Sequence, residues 1–121
     1  MSESNSDNDS TDLYLRFRWL LNGLEDLPAI DLLKMPHLES LLADIAQAWQ
    51  AGAPYAISIL LVRSDLGHSN TVRKRLQQLE EAGFVDFERS SQDSRVRLVV
   101  PTQQALRYFR EYANLLRQVG R

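Results

Sequence analysis

The fold is decided by residues 69–101, which read SNTVRKRLQQLEEAGFVDFERSSQDSRVRLVVP. The first part of this stretch carries apolar residues at the spacing of one helical face. They are Val72, Leu76 and Leu79. Gly83 is a typical residue just past the end of a helix, and His68 or Ser69 can cap its start. The stretch therefore opens with a predicted helix from Ser69 to about Ala82.

Beyond Gly83 the apolar period changes from 3.6 residues to 2. Apolar and polar residues alternate over Phe84–Glu88, a polar run follows over 89–94, and the alternation resumes over Arg95–Val100. Two short alternating runs around a small polar loop predict a β-hairpin. Pro101 then closes the hairpin, because proline cannot continue the ladder of hydrogen bonds.

Two further helices and a sharp turn are predicted upstream. A helix after Pro36 has apolar residues at i, i+3, i+4, i+7 and i+11, and Gly52 ends it. These residues are Leu38, Leu41, Leu42, Ile45 and Trp49. A short helix, Ile57 to about Arg63, leads into the polar turn 64–68, where Leu66 can fill the core and Gly67 permits a positive φ. Helix, helix, turn, helix and hairpin is the order of a winged helix–turn–helix.

The chain ends are predicted to add helices to this core. Residues 1–12 are rich in Ser, Asn and Asp and predict a disordered tail. Residues 13–35 predict a helix from Leu13 to Asn22, capped by Thr11 or Asp12 and stopped at Asn22-Gly23, then a connector with at most a helical turn at Ile30–Lys34. Residues 36–101 form the winged helix, and 102–121 form a last helix that Thr102 can cap. The fold class is mostly α with a small β-hairpin, an α+β arrangement of three core helices, a wing and two terminal helices.

Composition bounds the class of protein. A chain of 121 residues suffices for one core, and it holds no cysteine, so neither disulfides nor thiolate metal sites are expected. No stretch approaches the roughly 18 apolar residues of a membrane span, so a soluble cytoplasmic protein is expected. The net charge of −2 divides into −6 over residues 1–44 (nine acids, three bases) and +4 over 45–121 (seven acids, eleven bases). The positive charge of residues 45–121 agrees with nucleic-acid binding, because a nucleic acid responds to the charge of the surface that it contacts and not to the net charge of the chain.

The helix Ser69–Ala82 presents a polar face opposite its apolar stripe. The residues on this face and its flanks are Ser69, Asn70, Thr71, Arg73, Lys74, Gln77 and Gln78. Arg and Lys suit guanine edges or phosphates, and Asn and Gln suit adenine. The alternative is an ordinary solvated face, but its acids, Glu80 and Glu81, come only at the C-terminal end. Arg75 lies nearer the core stripe, where a structural role is as well supported as a DNA contact.

The predicted hairpin adds a second basic element. If Val96, Leu98 and Val100 face the core, Arg95 and Arg97 point outward together, and an arginine at the tip of a wing can enter the minor groove. The alternative is a hairpin with ordinary polar decoration. Asp93 would repel phosphate, so we expect it to hydrogen-bond the loop or brace Arg95.

These motifs resemble the MarR family of bacterial transcriptional regulators. The resemblance runs from about Leu38 to Leu116 and is carried by SNTVRKRL (69–76), LEEAGFV (79–85), DSR (93–95) and Thr102. It implies a DNA-binding winged helix in which Asp93 orders the wing and Arg95 reaches the minor groove. Only one helix follows the wing where members usually have two, so no effector pocket is predicted and a small-molecule effector remains open.

The terminal helices carry more apolar surface than one core stripe requires. Residues predicted to lie between two subunits are Leu13, Phe17, Trp19, Phe109, Tyr112 and Leu116. A helix that is apolar over more than one face is usually packed on two sides, which predicts a homodimer. The alternative is that both helices pack within one monomer.

Other functional classes find little support. The two histidines, His37 and His68, are far apart in sequence, and no phosphate loop, nucleophile elbow or pair of catalytic carboxylates occurs. We therefore expect no metal, no cofactor and no enzymatic activity. The sequence predicts a homodimeric regulator that binds double-stranded DNA, with a winged-helix protein-interaction module as the alternative.

Overall fold

A computed structural model describes residues 2–24, 34–63, 65 and 67–119. The elements in chain order are α1 (Ser2–Leu24), α2 (Pro36–Gln50), α3 (Ile57–Val62), α4 (Ser69–Glu81), β1 (Val85–Arg89), β2 (Arg97–Pro101) and α5 (Gln103–Val119). Leu66, which was expected to fill the core, lies outside the described residues. So do residues 30–33 of the helical turn expected at Ile30–Lys34. The chain forms two compact units, one of Asp31–Arg107 and one of Met1–Ile30 with Tyr108–Arg121.

Helix α2 supplies much of the core of the Asp31–Arg107 unit. Its residues Leu38, Leu41, Leu42 and Ile45 are buried, as their spacing predicted. Trp49 was predicted to continue this stripe, but it is 39% exposed. It lies in the last turn of the helix, next to the exposed residues Gln50 and Ala51, and that turn extends beyond the core.

Helices α3 and α4 form the predicted helix–turn–helix. Gly67 in the turn has a φ of 102°, which glycine adopts without the steric cost that a Cβ would add. Of the two candidate caps for α4, His68 is the N-cap, and its Nδ1 accepts a hydrogen bond from the backbone N–H of Asn70 at 3.3 Å. The predicted core stripe is confirmed, because Val72, Leu76 and Leu79 are all buried.

Strands β1 and β2 pair antiparallel, with Val85 opposite Pro101 and Arg89 opposite Arg97. Both strands begin later than their patterns predicted. In the loop, the backbone N–H of Val96 donates to the carbonyl of Asp93 at 2.9 Å, so this turn takes up residues expected in β2.

The expected alternation of β2 is also corrected. Val99 was predicted to face outward with the arginines, yet it is fully buried, and Val96 and Leu98 are only half-buried. The connector before α3 pairs with the other edge of this strand: the Val99 N–H donates to the carbonyl of Tyr55 at 2.9 Å, and Ala56 forms a bridge with Leu98. Strand β2 also packs against α2 and α3, so these helices, and not the period of 2 alone, decide which of its side chains are buried.

Helix α5 begins as the sequence predicted. The Thr102 hydroxyl accepts a hydrogen bond from the Ala105 N–H at 3.1 Å and donates to the carbonyl of Gly83 at 2.5 Å. One side chain therefore caps α5 and ties its start to the end of α4.

Helix α1 differs most from expectation. The prediction of a disordered tail over 1–12 is wrong, because the helix begins at Ser2 and passes through the expected cap at Thr11 or Asp12. Elongating an existing helix costs far less than nucleating one, and acidic residues favour its N-terminal turns. Asp12 also pairs with Arg16 one turn on, at 3.1 Å.

Helix α1 is described as far as Leu24, so the stop predicted at Asn22-Gly23 agrees with it to within two residues. Gly23 also lies close to α5. A Cβ built on it would lie 3.1 Å from a methyl group of Leu115, a residue of α5 in the same unit. The glycine therefore lets these two helices approach closely, and its role is in packing.

Candidate nucleic-acid interface

The polar face of α4 reaches solvent as a continuous surface. Asn70, Thr71, Arg73, Lys74 and Gln77 are exposed, whereas Ser69 and Gln78 at its margins are half-buried. The first turn of the helix holds no acidic residue. We call the surface formed by these seven residues the polar face of α4. It offers amide groups and positive charge on a rigid element, a combination suited to base edges and phosphates.

Asp93, which the sequence singled out, forms hydrogen bonds with Arg95 in the loop of the wing. Asp93 Oδ1 accepts hydrogen bonds from the backbone N–H of Arg95 at 3.0 Å and from its Nε at 3.2 Å. The guanidinium also donates to Oδ2 at 3.3 Å, yet the Arg95 side chain remains 89% exposed. These contacts favour the charged carboxylate and lower the pKa of Asp93. Asp93 thereby restrains Arg95 without removing it from solvent.

Arg97 is restrained in a different way. Its guanidinium carbon lies 5.2 Å from the centroid of the Phe87 ring, within the range of a cation–π contact. Phe87 and Arg97 share one face of the hairpin, while Asp86 and Glu88 alternate to the other face.

Arg89 is a candidate that the sequence analysis did not select. The strand register sets it directly opposite Arg97, and both side chains are exposed. Like charges opposite each other destabilise a hairpin slightly, unless an anion lies between them. The alternating pattern contains no signal for this pairing, because the register depends on where the loop ends.

The other unit exposes a large apolar surface. On α1, Leu13 is 62%, Phe17 50% and Trp19 47% exposed, and Leu116 on α5 is 49% exposed. Phe109 and Tyr112 are half-buried, and each forms an edge-to-face contact with the ring of Tyr108. The centroid of the Tyr108 ring lies 5.9 Å from that of Phe109 and 6.0 Å from that of Tyr112. Together these six predicted residues therefore leave apolar surface open to solvent, most of it on α1.

Within residues 2–24, 34–63, 65 and 67–119, no group of three or more acidic or histidine side chains could hold a metal ion. Over the same residues, no helix combines the length and the apolar character needed to cross a bilayer.

Three helices followed by a two-stranded antiparallel wing define the winged helix–turn–helix class. Solved structures agree with this assignment. The YusO protein from Bacillus subtilis matches with a TM-score of 0.51 and 17% identity, over 93% of this chain and 79% of that one. The predicted winged-helix fold is confirmed.

Two further structures match less closely. One is the PcaV transcriptional regulator from Streptomyces coelicolor in complex with its natural ligand, with a TM-score of 0.41 and 19% identity, over 80% of this chain and 77% of that one. The other, from Bacillus cereus, is named as a MarR-like transcription regulator. It matches with a TM-score of 0.40 and 18% identity, over 98% of this chain and 82% of that one. No family model and no curated protein matches this sequence.

Proposed function

We propose that this chain is a transcriptional regulator that binds specific sites on double-stranded DNA as a homodimer. The observation that carries the proposal is the polar face of α4, which is exposed and has no acidic residue in its first turn. A helix fits the major groove of B-DNA, where each base pair offers a distinct pattern of donors and acceptors. Asn70 and Gln77 would recognise base edges there, and Arg73 and Lys74 would contact guanine or phosphate.

The wing would contact the adjacent minor groove. Arg95 is the candidate for insertion, because its side chain is almost fully exposed while Asp93 restrains its direction. Negative potential is strongest where the minor groove is narrow, as in A·T-rich DNA. Arg97 and Arg89 would add positive charge toward the phosphates.

The homodimer is supported by the exposed apolar residues of the terminal helices. Soluble monomers rarely expose contiguous apolar surface on this scale, and a second copy would cover it. Two copies related by a two-fold axis would bind a pseudo-palindrome with half-sites about one helical turn apart. A regulator of this kind acts on the chromosome, so the proposal assigns the chain to the cytoplasm and to binding instead of catalysis.

One observation favours the alternative, a protein-interaction module. Ile59 and Val62 on α3 are 52% and 78% exposed. Apolar side chains at such positions can anchor a protein partner. The two functions differ in their response to salt, since only the contact with DNA releases many counterions.

The first test is a titration of labelled random-sequence duplexes at several salt concentrations. We expect binding whose log K falls with log salt by about 0.9 for each phosphate contact. Lys74→Gln should reduce this slope, whereas Arg110→Gln, which removes the same charge from α5, should leave it unchanged. If the folded protein does not bind at low salt, the regulator proposal is wrong.

A further inference from the structure

Four side chains near the end of α3 form a connected cluster: Asp44, Tyr55, Arg63 and Asp65. The Arg63 guanidinium donates to Asp44 Oδ2 at 2.8 Å through one nitrogen and to Asp65 Oδ1 at 3.0 Å through Nε. Its carbon lies 5.4 Å from the centroid of the Tyr55 ring. The Tyr55 hydroxyl in turn donates to Asp44 Oδ1 at 3.4 Å. We call these residues the Arg63 cluster.

The cluster joins four segments that are separate in sequence. Asp44 belongs to α2, Tyr55 to the connector before α3, Arg63 to the end of α3, and Asp65 to the turn before α4. Tyr55 is itself fixed, because its carbonyl accepts the Val99 N–H of β2. The cluster therefore links the core helix and the wing to the turn from which α4 begins.

The chemistry of Arg63 is suited to fixing geometry. A guanidinium is planar, donates in two directions and stacks on aromatic rings, whereas an ammonium group is a single point charge. Arg63 and Asp44 are only 26% and 27% exposed, but Asp65 is 62% exposed. Exposed ion pairs contribute most when an arginine holds a carboxylate at two points and several charges form a network, as they do here. The same two-point contact adds geometric specificity, so it also fixes the relative positions of the segments that it joins.

We propose that Arg63 is a positioning residue for sequence recognition: by holding Asp65 against Asp44 and Tyr55, it fixes the start of α4 and hence the register of the polar face on the bases. This inference rests on the proposed function. Sequence is recognised by contacts with base edges, whereas phosphate contacts carry no direct sequence information. Loss of the cluster should thus reduce discrimination between sites while leaving general affinity for DNA intact.

The test compares Arg63→Lys with the unchanged protein on two duplexes, the preferred site from selection and a scrambled version. The substitution keeps the charge and removes the fork and the stacking plane. We expect the ratio of the two affinities to fall at least about fivefold, the discrimination of a weak base contact. Affinity for the scrambled duplex should not change. Arg107→Lys, an equivalent change on exposed α5 surface, should preserve both affinities.

Asp65→Asn provides a second variant that leaves Arg63 in place. It should lower the ratio of the two affinities as well. It should not lower the affinity for the scrambled duplex, because it removes a negative charge from the protein. An unchanged ratio in both variants would overturn the positioning role. Equal losses on both duplexes would also overturn it, since a smaller folded fraction affects the two affinities alike.

A measurement without DNA separates this inference from the proposed function. Amide hydrogen exchange in the first turn of α4 should be faster in Arg63→Lys and Asp65→Asn than in the unchanged protein or Arg107→Lys. If no duplex is bound, the regulator function fails, and exchange alone decides whether Arg63 fixes the start of α4. Unaltered exchange in both variants contradicts the inference.

Discussion

Single arginines in this chain are restrained before any ligand binds. Arg95 is held by the carboxylate of Asp93, and Arg97 lies over the ring of Phe87. A long side chain that is already ordered loses less conformational entropy on binding. Under the proposed function, restraint without burial would favour these two arginines as contacts for DNA.

The Asp93–Arg95 contact leads to a prediction about pH. The pKa of Asp93 is lowered by the Arg95 side chain and backbone N–H, so the contact should be complete above the ordinary aspartate range. It should be lost only as the pH falls through the lowered pKa. Carboxyl carbon shifts measured by NMR should give a midpoint for Asp93 below 3.8, its ordinary value.

Arg95→Gln is the matched variant for this titration. It removes the guanidinium and leaves the backbone N–H, so the midpoint of Asp93 should rise toward the ordinary value without fully reaching it. Identical midpoints in the two proteins would show that Arg95 does not hold the carboxylate in solution.

At the scale of the element, α4 has two faces with separate tasks. Its buried stripe attaches it to the core, and its polar face is exposed to solvent, where the proposed function places DNA. Because the two sets of residues alternate along one helix, substitutions can separate stability from recognition.

Asn70→Ala and Gln77→Ala should each cost about 1–3 kcal/mol on the preferred site and relax preference at one base position. Both side chains are exposed, so urea denaturation followed by circular dichroism should show little change in stability. Leu76→Ala is the control with the opposite pattern. It should lower the free energy of unfolding by about 2–5 kcal/mol, because it leaves a cavity in the core. If Asn70, Gln77 and Lys74 substitutions all leave binding unchanged, α4 does not recognise the bases.

At the scale of the whole molecule, α1 exposes more large apolar side chains than any other described element. Among its residues 6 to 23, Leu20 is the only fully buried side chain. Burial of apolar surface is the main favourable term in association. A helix with so little burial of its own gains most from a second copy.

We therefore expect a dimer in sedimentation at micromolar concentration. Phe17→Ser should shift it toward monomer, because the polar side chain removes apolar area from the proposed interface. Val62→Ser changes a side chain that is 78% exposed in the other unit and should leave the mass unchanged. A monomer in the unchanged protein would remove the dimer and leave a protein that binds one half-site.

The sequence by itself determined the elements of the winged helix and several of their ends. The period of α2 and α4, the positive φ of Gly67 and the Thr102 cap were all predicted correctly. Each depends on residues a few positions apart, so a short stretch of sequence contains the whole interaction. The composition of the polar face belongs to the same group, although its role on DNA stays a prediction.

Only the tertiary structure decided which surfaces are covered. Val99 is buried although the alternation of β2 does not predict it, and Leu115 of α5 packs close to Gly23 of α1. The Asp44–Arg63 pair joins residues 19 positions apart. No local pattern records these contacts, since burial and ion pairing depend on which distant segments meet when the chain packs.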